Sequence, residues 1–252
     1  MPRNRASQQP ARRKFGGFFY ALTGHQITSD NGCKGTIIAQ TPSGATFAIG
    51  STIAAALTGA TISNATEAVV TVTHSFAIGD IVEITSGWGR LNRRVFRVKS
   101  VSTTVSFVLE GMDTTSTTLF PAGGGTGSVR KITTFTPLTT VMSPSASGGD
   151  PKNITAKYIE SDTEFMVNDG FAATSYSIEL DADNIGNAGY TALKTLSEAQ
   201  SDTALRITLR NGAPLYLGCT VGLNEAANLS EGQINKVKVM FNGNNRVVRY
   251  PS

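Results

Sequence analysis

Between residues 176 and 210 the hydrophobic period of this chain changes twice, and few folds can accommodate that change. At 176–180 (YSIEL) the apolar residues Tyr176, Ile178 and Leu180 fall on one face, the period-two mark of a strand. From Asn187 to Ala199 the apolar residues Tyr190, Leu193 and Leu196 recur at helical spacing, which predicts a helix over about 187–200. Alternation returns at Leu205, Ile207 and Leu209, followed by the turn pair Asn211-Gly212, the run Pro214-Leu-Tyr-Leu and a late strand through Val237, Val239 and Phe241. This order predicts a mainly β body flanked by one helix.

The middle of the chain reads as a separate β module. Short apolar runs at 68–73, 80–85, 95–99 and 106–110 are punctuated by Gly79, Gly87, Gly89 and Gly111, which suits a small antiparallel barrel over 62–131. The run from Gly123 to Gly127 reads as a hinge, and 143–151, rich in Ser, Gly and Pro, as a second soft stretch. Beyond it, Ile154, Ala156 and Tyr158 alternate with polar neighbours, and 164–170 reads as a strand ending in a turn. Residues 51–60 are small and apolar with no clear period and remain unassigned. Strand-like starts occur at 18–22 and 35–39. The resulting organisation is an arm (1–14), a body (15–61 and 132–252) and the barrel module (62–131).

Charge is unevenly placed. Only 16% of residues are charged, and the formal net charge of +4 comes from the arm, where Arg3, Arg5, Arg12, Arg13 and Lys14 precede the first acid, Asp30. A basic arm can meet nucleic acid or a membrane, or can order against a neighbouring subunit. The pair Arg12-Arg13 before an apolar stretch superficially resembles an export signal, but that stretch is short, holds two glycines and lacks a cleavage pattern. No segment approaches the roughly 20 apolar residues of a membrane helix.

Chemistry-bearing motifs are sparse. Cys33 and Cys219 form no disulfide framework and no zinc spacing, and the two histidines, His25 and His74, have no ligand partner at helical spacing, so His74 reads as a packing residue. No Gly-x-Ser-x-Gly elbow is present, and the glycine run does not end in Gly-Lys-Ser/Thr, so neither an acyl-transfer nor a phosphate-binding site is indicated. Arg90, Arg93, Arg94, Arg97 and Lys99 form a basic cluster with Trp88 and Phe96 interleaved; a solvated strand face or an inter-subunit salt-bridge surface accounts for it better than DNA binding. The opposite charge gathers in Glu160, Asp162, Glu164, Asp169, Glu179, Asp181 and Asp183, with no Lys or Arg between Lys157 and Lys194. Asp183 is placed to serve as an acid near a helix N-terminus.

The order strand, helix, strand, Asn-Gly turn, strand over about 153–252 resembles the tail tube proteins of long-tailed bacteriophages. The segments around His74 and Gly79, Asn92 to Val98, and Phe107 to Asp113 resemble a small β-barrel repeat found in many phage proteins and in ubiquitin-activating enzymes, a scaffold that brings no chemistry with it. The first resemblance implies a tail-tube β-sandwich with one flanking helix plus the barrel module, and a structural virion protein rather than an enzyme. It further implies stacked hexameric rings forming the conduit for DNA ejection into a bacterial host. The partners it implies are other copies of the chain, tail terminator and tail tip proteins, a tape measure protein during assembly, and DNA passing without specific binding. No cofactor and no membrane are involved, and the protein is expected in the virion tail after synthesis in the host cytoplasm. A wall that lets DNA slide should repel phosphates, so Glu160, Asp162, Glu164 and Asp169 are candidates to face the lumen. Arg3, Arg5, Arg12, Arg13 and Lys14 are candidates for contacts between rings, with 143–151 beside them.

Two other classes compete. A virion surface or baseplate protein could hold host polysaccharide on exposed aromatics, but aromatics are 8% of the chain and Trp88 is its single tryptophan. A glycan hydrolase needs a carboxylate pair, and none stands out by context.

Overall fold

The computed structural model describes residues 41–252. The basic arm, the strand-like starts at 18–22 and 35–39, His25 and Cys33 lie outside the described residues. The chain enters the sheet with β1 (Thr46–Ile53), in which four successive residues from Phe47 to Gly50 are buried. With both faces covered at 47–50 and its register shifted after Gly50, this strand shows none of the alternation by which a half-buried strand is recognised.

Six strands then close a barrel: β2 (Leu57–Ile62), β3 (Val69–Thr71), β4 (Ile81–Ser86), β5 (Arg94–Ser102), β6 (Ser106–Leu109) and β7 (Thr126–Leu138). They pair in the order β2-β3-β6-β5-β4-β7, and β7 pairs back onto β2, so the circuit has no free edge. Val82, Ile84, Phe96, Phe107 and Leu109 fill its core. Trp88 is 2% exposed; its Nε1–H donates to the Pro121 carbonyl at 2.7 Å and its ring meets the edge of Phe120.

The glycine run does not serve as a hinge. A Cβ on Gly125 would stand 2.5 Å from the Ile62 carbonyl oxygen and 2.8 Å from the Trp88 ring, and one on Gly127 would overlap the Thr85 carbonyl. These glycines permit close backbone approach, and Gly127 already lies within β7, paired with β4 and β2. β7 is also long enough to leave the barrel and pair with β1 from Ile132 to Leu138.

The remaining elements are β8 (Val141–Ser147), β9 (Pro151–Ala156), β10 (Phe165–Phe171), β11 (Ser175–Asp181), α1 (Ala188–Ala199), β12 (Asp202–Thr208), β13 (Pro214–Asn228), β14 (Lys236–Gly243) and β15 (Val248–Arg249). From β7 the sheet continues β1-β12-β13-β14-β11-β8, while β9 and β10, among the described residues, pair only with each other. Tyr190, Leu193 and Leu196 turn the buried side of α1 onto a core that includes Ile49, Leu205, Leu217, Val239 and Phe241. The helix starts at Asn187, whose side chain accepts from the Gly189 N–H at 2.9 Å, and stops at Gln200 in the left-handed region. Asp183 is not in its first turn but in a separate short 3₁₀ turn, Ala182–Asn184.

Barrel and sandwich share one packed seam. Ala204, Tyr216, Val248 and Tyr250 extend the barrel core. Tyr250 Oη accepts from the Arg97 backbone N–H at 2.8 Å, while the Arg97 guanidinium lies 4.4 Å from the Tyr250 ring centroid.

Candidate self-assembly surface

An antiparallel sheet that buries one face and closes on itself has nothing left to bind. This sheet closes at only one end. The other ends in β8, which pairs with β11 on one side and has no strand on the other among the described residues. Ser143, Pro144 and the residues after them are exposed, and Pro144 is tolerated because an edge strand need not donate from every position. The soft stretch expected at 143–151 is therefore mostly strand, and Gly148, Gly149 and Asp150, the two glycines at positive φ, form the turn before β9.

Next to that edge stands the two-stranded unit of β9 and β10. Ile154 lies opposite Val167 and Ala156 opposite Phe165, so these four side chains share one face; Asn153, Thr155, Met166 and Asn168 share the other. The apolar face is unpartnered among the described residues: Ile154 is 54% and Val167 48% exposed, and Tyr158 leans on Phe165 with ring centroids 5.0 Å apart. A hairpin without a third strand or a packed helix is marginal in water. An exposed apolar face of this kind marks an interaction surface.

The third component is a wall. In β11, β14 and the second half of β13, the residues Ile178, Leu180, Val239, Phe241 and Val221 point into the core under α1. The alternate residues form an open face of Ser175, Ser177, Met240, Asn242, Thr220 and Gly222, with Glu179, Lys238 and Asn224 in the next row. Glu179 on this face is bridged to Lys236 at 3.2 Å, with a carboxyl held below its usual pKa first by that hydrogen bond. Lys238, exposed on the same face opposite Glu179, is the cation there that has no ion-pair partner among the described residues.

The charged candidates are distributed differently from expectation. Of the basic cluster, Arg93 pairs with Asp202, Arg97 with Glu110 and Lys99 with Glu67, so most of it is neutralised within the chain rather than offered to another molecule. Arg90 and Arg94 have no acid partner among the described residues. Glu160, Asp162, Glu164 and Asp169 all stand on the β9–β10 unit and its loop, exposed and outside every ion pair of the described residues. None lies on the open face of the wall. Trp88 is buried and cannot serve as a sugar platform. His74 is a packing residue: its Nδ1 accepts from the Phe76 N–H at 3.0 Å, and its ring stacks on Phe76 and meets Phe107 edge-on. Burial pushes the Cys219 thiol up to about 12, which leaves it unreactive.

Sequence reasoning located the strands of the hairpin but missed its significance and that of β8. The signal was present: Ile154, Phe165 and Val167 alternate on strands whose remaining positions are also exposed, so neither face has a core to enter. For β8 there was no signal, because Ser-Pro-Ser-Ala-Ser carries no apolar alternation.

The profile of a protein family described as phage tail tube protein, TTP, matches residues 86–252. This span takes in the wall, the hairpin, α1 and the barrel from β5 onward. No curated protein matches the chain.

Proposed function

The chain belongs to the phage tail tube protein family, and on that premise we propose that it is a structural subunit of stacked hexameric rings forming the conduit for DNA ejection into a bacterial host. The observation that carries the proposal is the hairpin of β9 and β10, apolar on one face and packed on no core among the described residues, standing beside the open edge at β8. Both are completed by identical copies. Edge-to-edge joining at β8 would extend the wall from subunit to subunit, and its open face, on which Glu179 stands opposite Lys238, would line the bore.

In this reading the barrel (62–131) decorates the outside of the tube. Its likeness to the repeat of ubiquitin-activating enzymes is kept as a likeness of scaffold alone. The tail terminator, tail tip and tape measure proteins are its partners in the assembled tail, and synthesis is in the host cytoplasm. Catalysis has no part in it. Burial of Trp88 weakens the rival in which exposed aromatics hold host polysaccharide.

Negative-stain electron microscopy of the purified protein and of the particle tests the proposal. Uniform hollow rings or tubes with six-fold end views are expected; a chain that stays solitary at high concentration and occupies no axial channel in the particle overturns it. The arm has its own test. Deleting residues 1–14 should leave melting unchanged and shorten the tubes, and tubes of normal length would remove the arm from the stacking contact.

A further inference from the structure

A cavity of about 580 Å³ opens between the barrel and the root of the β9–β10 hairpin, and three guanidinium groups, from Arg90, Arg94 and Arg246, line it. Its one acid, Asp113, is already engaged, accepting from the Thr115 N–H at 2.8 Å and from the Thr115 hydroxyl at 2.7 Å. None of the three arginines has an ion-pair partner among the described residues, whereas Arg93, Arg97 and Arg130 all do. Arg246 stacks on Phe171, 4.1 Å from the ring centroid, which holds its head group at the cavity wall. Arg94 is half-buried, its Nε–H is enclosed without an acceptor, and its nearest polar contact is the Met112 sulfur at 3.7 Å from Nη1. Burial, and then repulsion from Arg246, lower its pKa. An enclosed donor on a cation beside a like charge is a cost that an incoming anionic oxygen removes.

The complementary charge is on the same chain. The loop joining β9 to β10 carries Glu160, Asp162 and Glu164, all exposed and unpaired. It cannot reach its own cavity: the cavity is lined by residues 170–174 at the hairpin root, and the loop lies at the far end of strands six and seven residues long, roughly 20 Å away at strand rise. The first 40 residues do not suit it either, since they hold six basic residues and one acid.

We propose that carboxylates of the β9–β10 loop of one copy enter the arginine cavity of the next, a head-to-tail contact that joins subunits by charge as well as by strand pairing. This rests on the self-assembly proposed above, and it assigns the loop acids to a joint between subunits rather than to the bore. A contact between two different patches is the kind that closes a ring or propagates a stack.

Charge reversal in two separate chains tests it. One variant carries Arg90→Glu and Arg246→Glu, both at exposed positions, and the other carries Glu160→Lys, Asp162→Lys and Glu164→Lys; each should melt like the wild type. Each alone should need at least roughly tenfold more protein to assemble, as expected when close charge pairs become like-charged. Mixed in equal amounts they should assemble again, because the basic loop of one fits the acidic cavity of the other in alternation. Arg94→Gln, which keeps shape and removes charge, should weaken assembly while leaving the fold intact. Normal assembly by either reversed variant, or failure of the mixture to recover, overturns the pairing while the tube reading stands. A wild type that never assembles removes both.

Discussion

The barrel and the hairpin were made from similar sequence, short β runs divided by turns, yet one is complete in a single copy and the other is not. In the barrel the strand circuit is closed and the core is filled. Most cations of β5 and β7 find acids on or beside neighbouring strands, Arg97 with Glu110, Arg130 with Glu83 and Lys131 with Asp80, with Arg94 the exception. In the hairpin both faces are exposed, four acids are unpaired, and the apolar cross-strand pairs meet water. The difference separates two kinds of stability. Barrel residues hold the subunit together, and hairpin residues hold subunits to one another, so substitutions in the two regions should move different observables.

The largest effect on the single subunit should come from Trp88→Ala. It empties the site against which Gly124, Gly125 and Phe120 pack and leaves the Pro121 carbonyl only the longer hydrogen bond from the Gly124 N–H, at a cost of about 3–5 kcal/mol. Thermal or denaturant unfolding should record that loss. A drop below about 1 kcal/mol would mean that the barrel is not the stable half.

The same region should also respond to pH with two opposite signs. Burial pushes the Glu83 carboxyl above its ordinary 4.5, with Arg130 offsetting part of the rise. Glu110 is held below 4.5, chiefly by its hydrogen bond from Arg97. A raised carboxylate means that the folded form holds its proton longer, so stability falls as pH rises from 4.5 through the folded value; a lowered one is stabilising above 4.5 and is lost as pH falls through the folded value. Melting between about pH 3 and 8 should therefore show Glu83→Gln gaining on the wild type as pH rises, and the deficit of Glu110→Gln shrinking at the acid end. Profiles parallel to the wild type would show that neither carboxyl is tied to folding as described.

How much of this was legible beforehand follows the same division. Four barrel strands, β3 to β6, and α1 were readable, as short apolar runs between glycine turns or, like Leu193, by helical period, whereas β2 and β7 fell in the unassigned 51–60 and across the expected hinge. β1 and β8 were not, for opposite reasons: Phe47 to Gly50 is buried on both faces, and Ser143 to Ser147 is nearly bare. The glycine run misled because composition does not separate a glycine that bends from one that lets Trp88 and the Thr85 carbonyl come close. Of the candidate site, the acids were visible as a charge run. The arginine cavity was not, since Arg90 and Arg94 come from the barrel and Arg246 from the end of the chain, and only folding brings them together.

The smallest effect on the single subunit, and the most informative for the comparison, should come from Ile154→Ser with Val167→Ser. These residues face each other across the hairpin and touch no core, so the isolated subunit should lose no more than roughly 0.5 kcal/mol. In the assembly each would give up burial worth about 1.5–3 kcal/mol, and at 1.4 kcal/mol per decade the concentration needed to form rings should rise roughly tenfold or more for each. Analytical ultracentrifugation and melting of the same samples read both quantities at once. An unchanged melt with lost assembly fits a surface built for a neighbour. If instead the melt falls by several kcal/mol while assembly follows only in proportion, the hairpin is packed inside its own subunit in solution, and the division between a finished barrel and an unfinished hairpin does not hold.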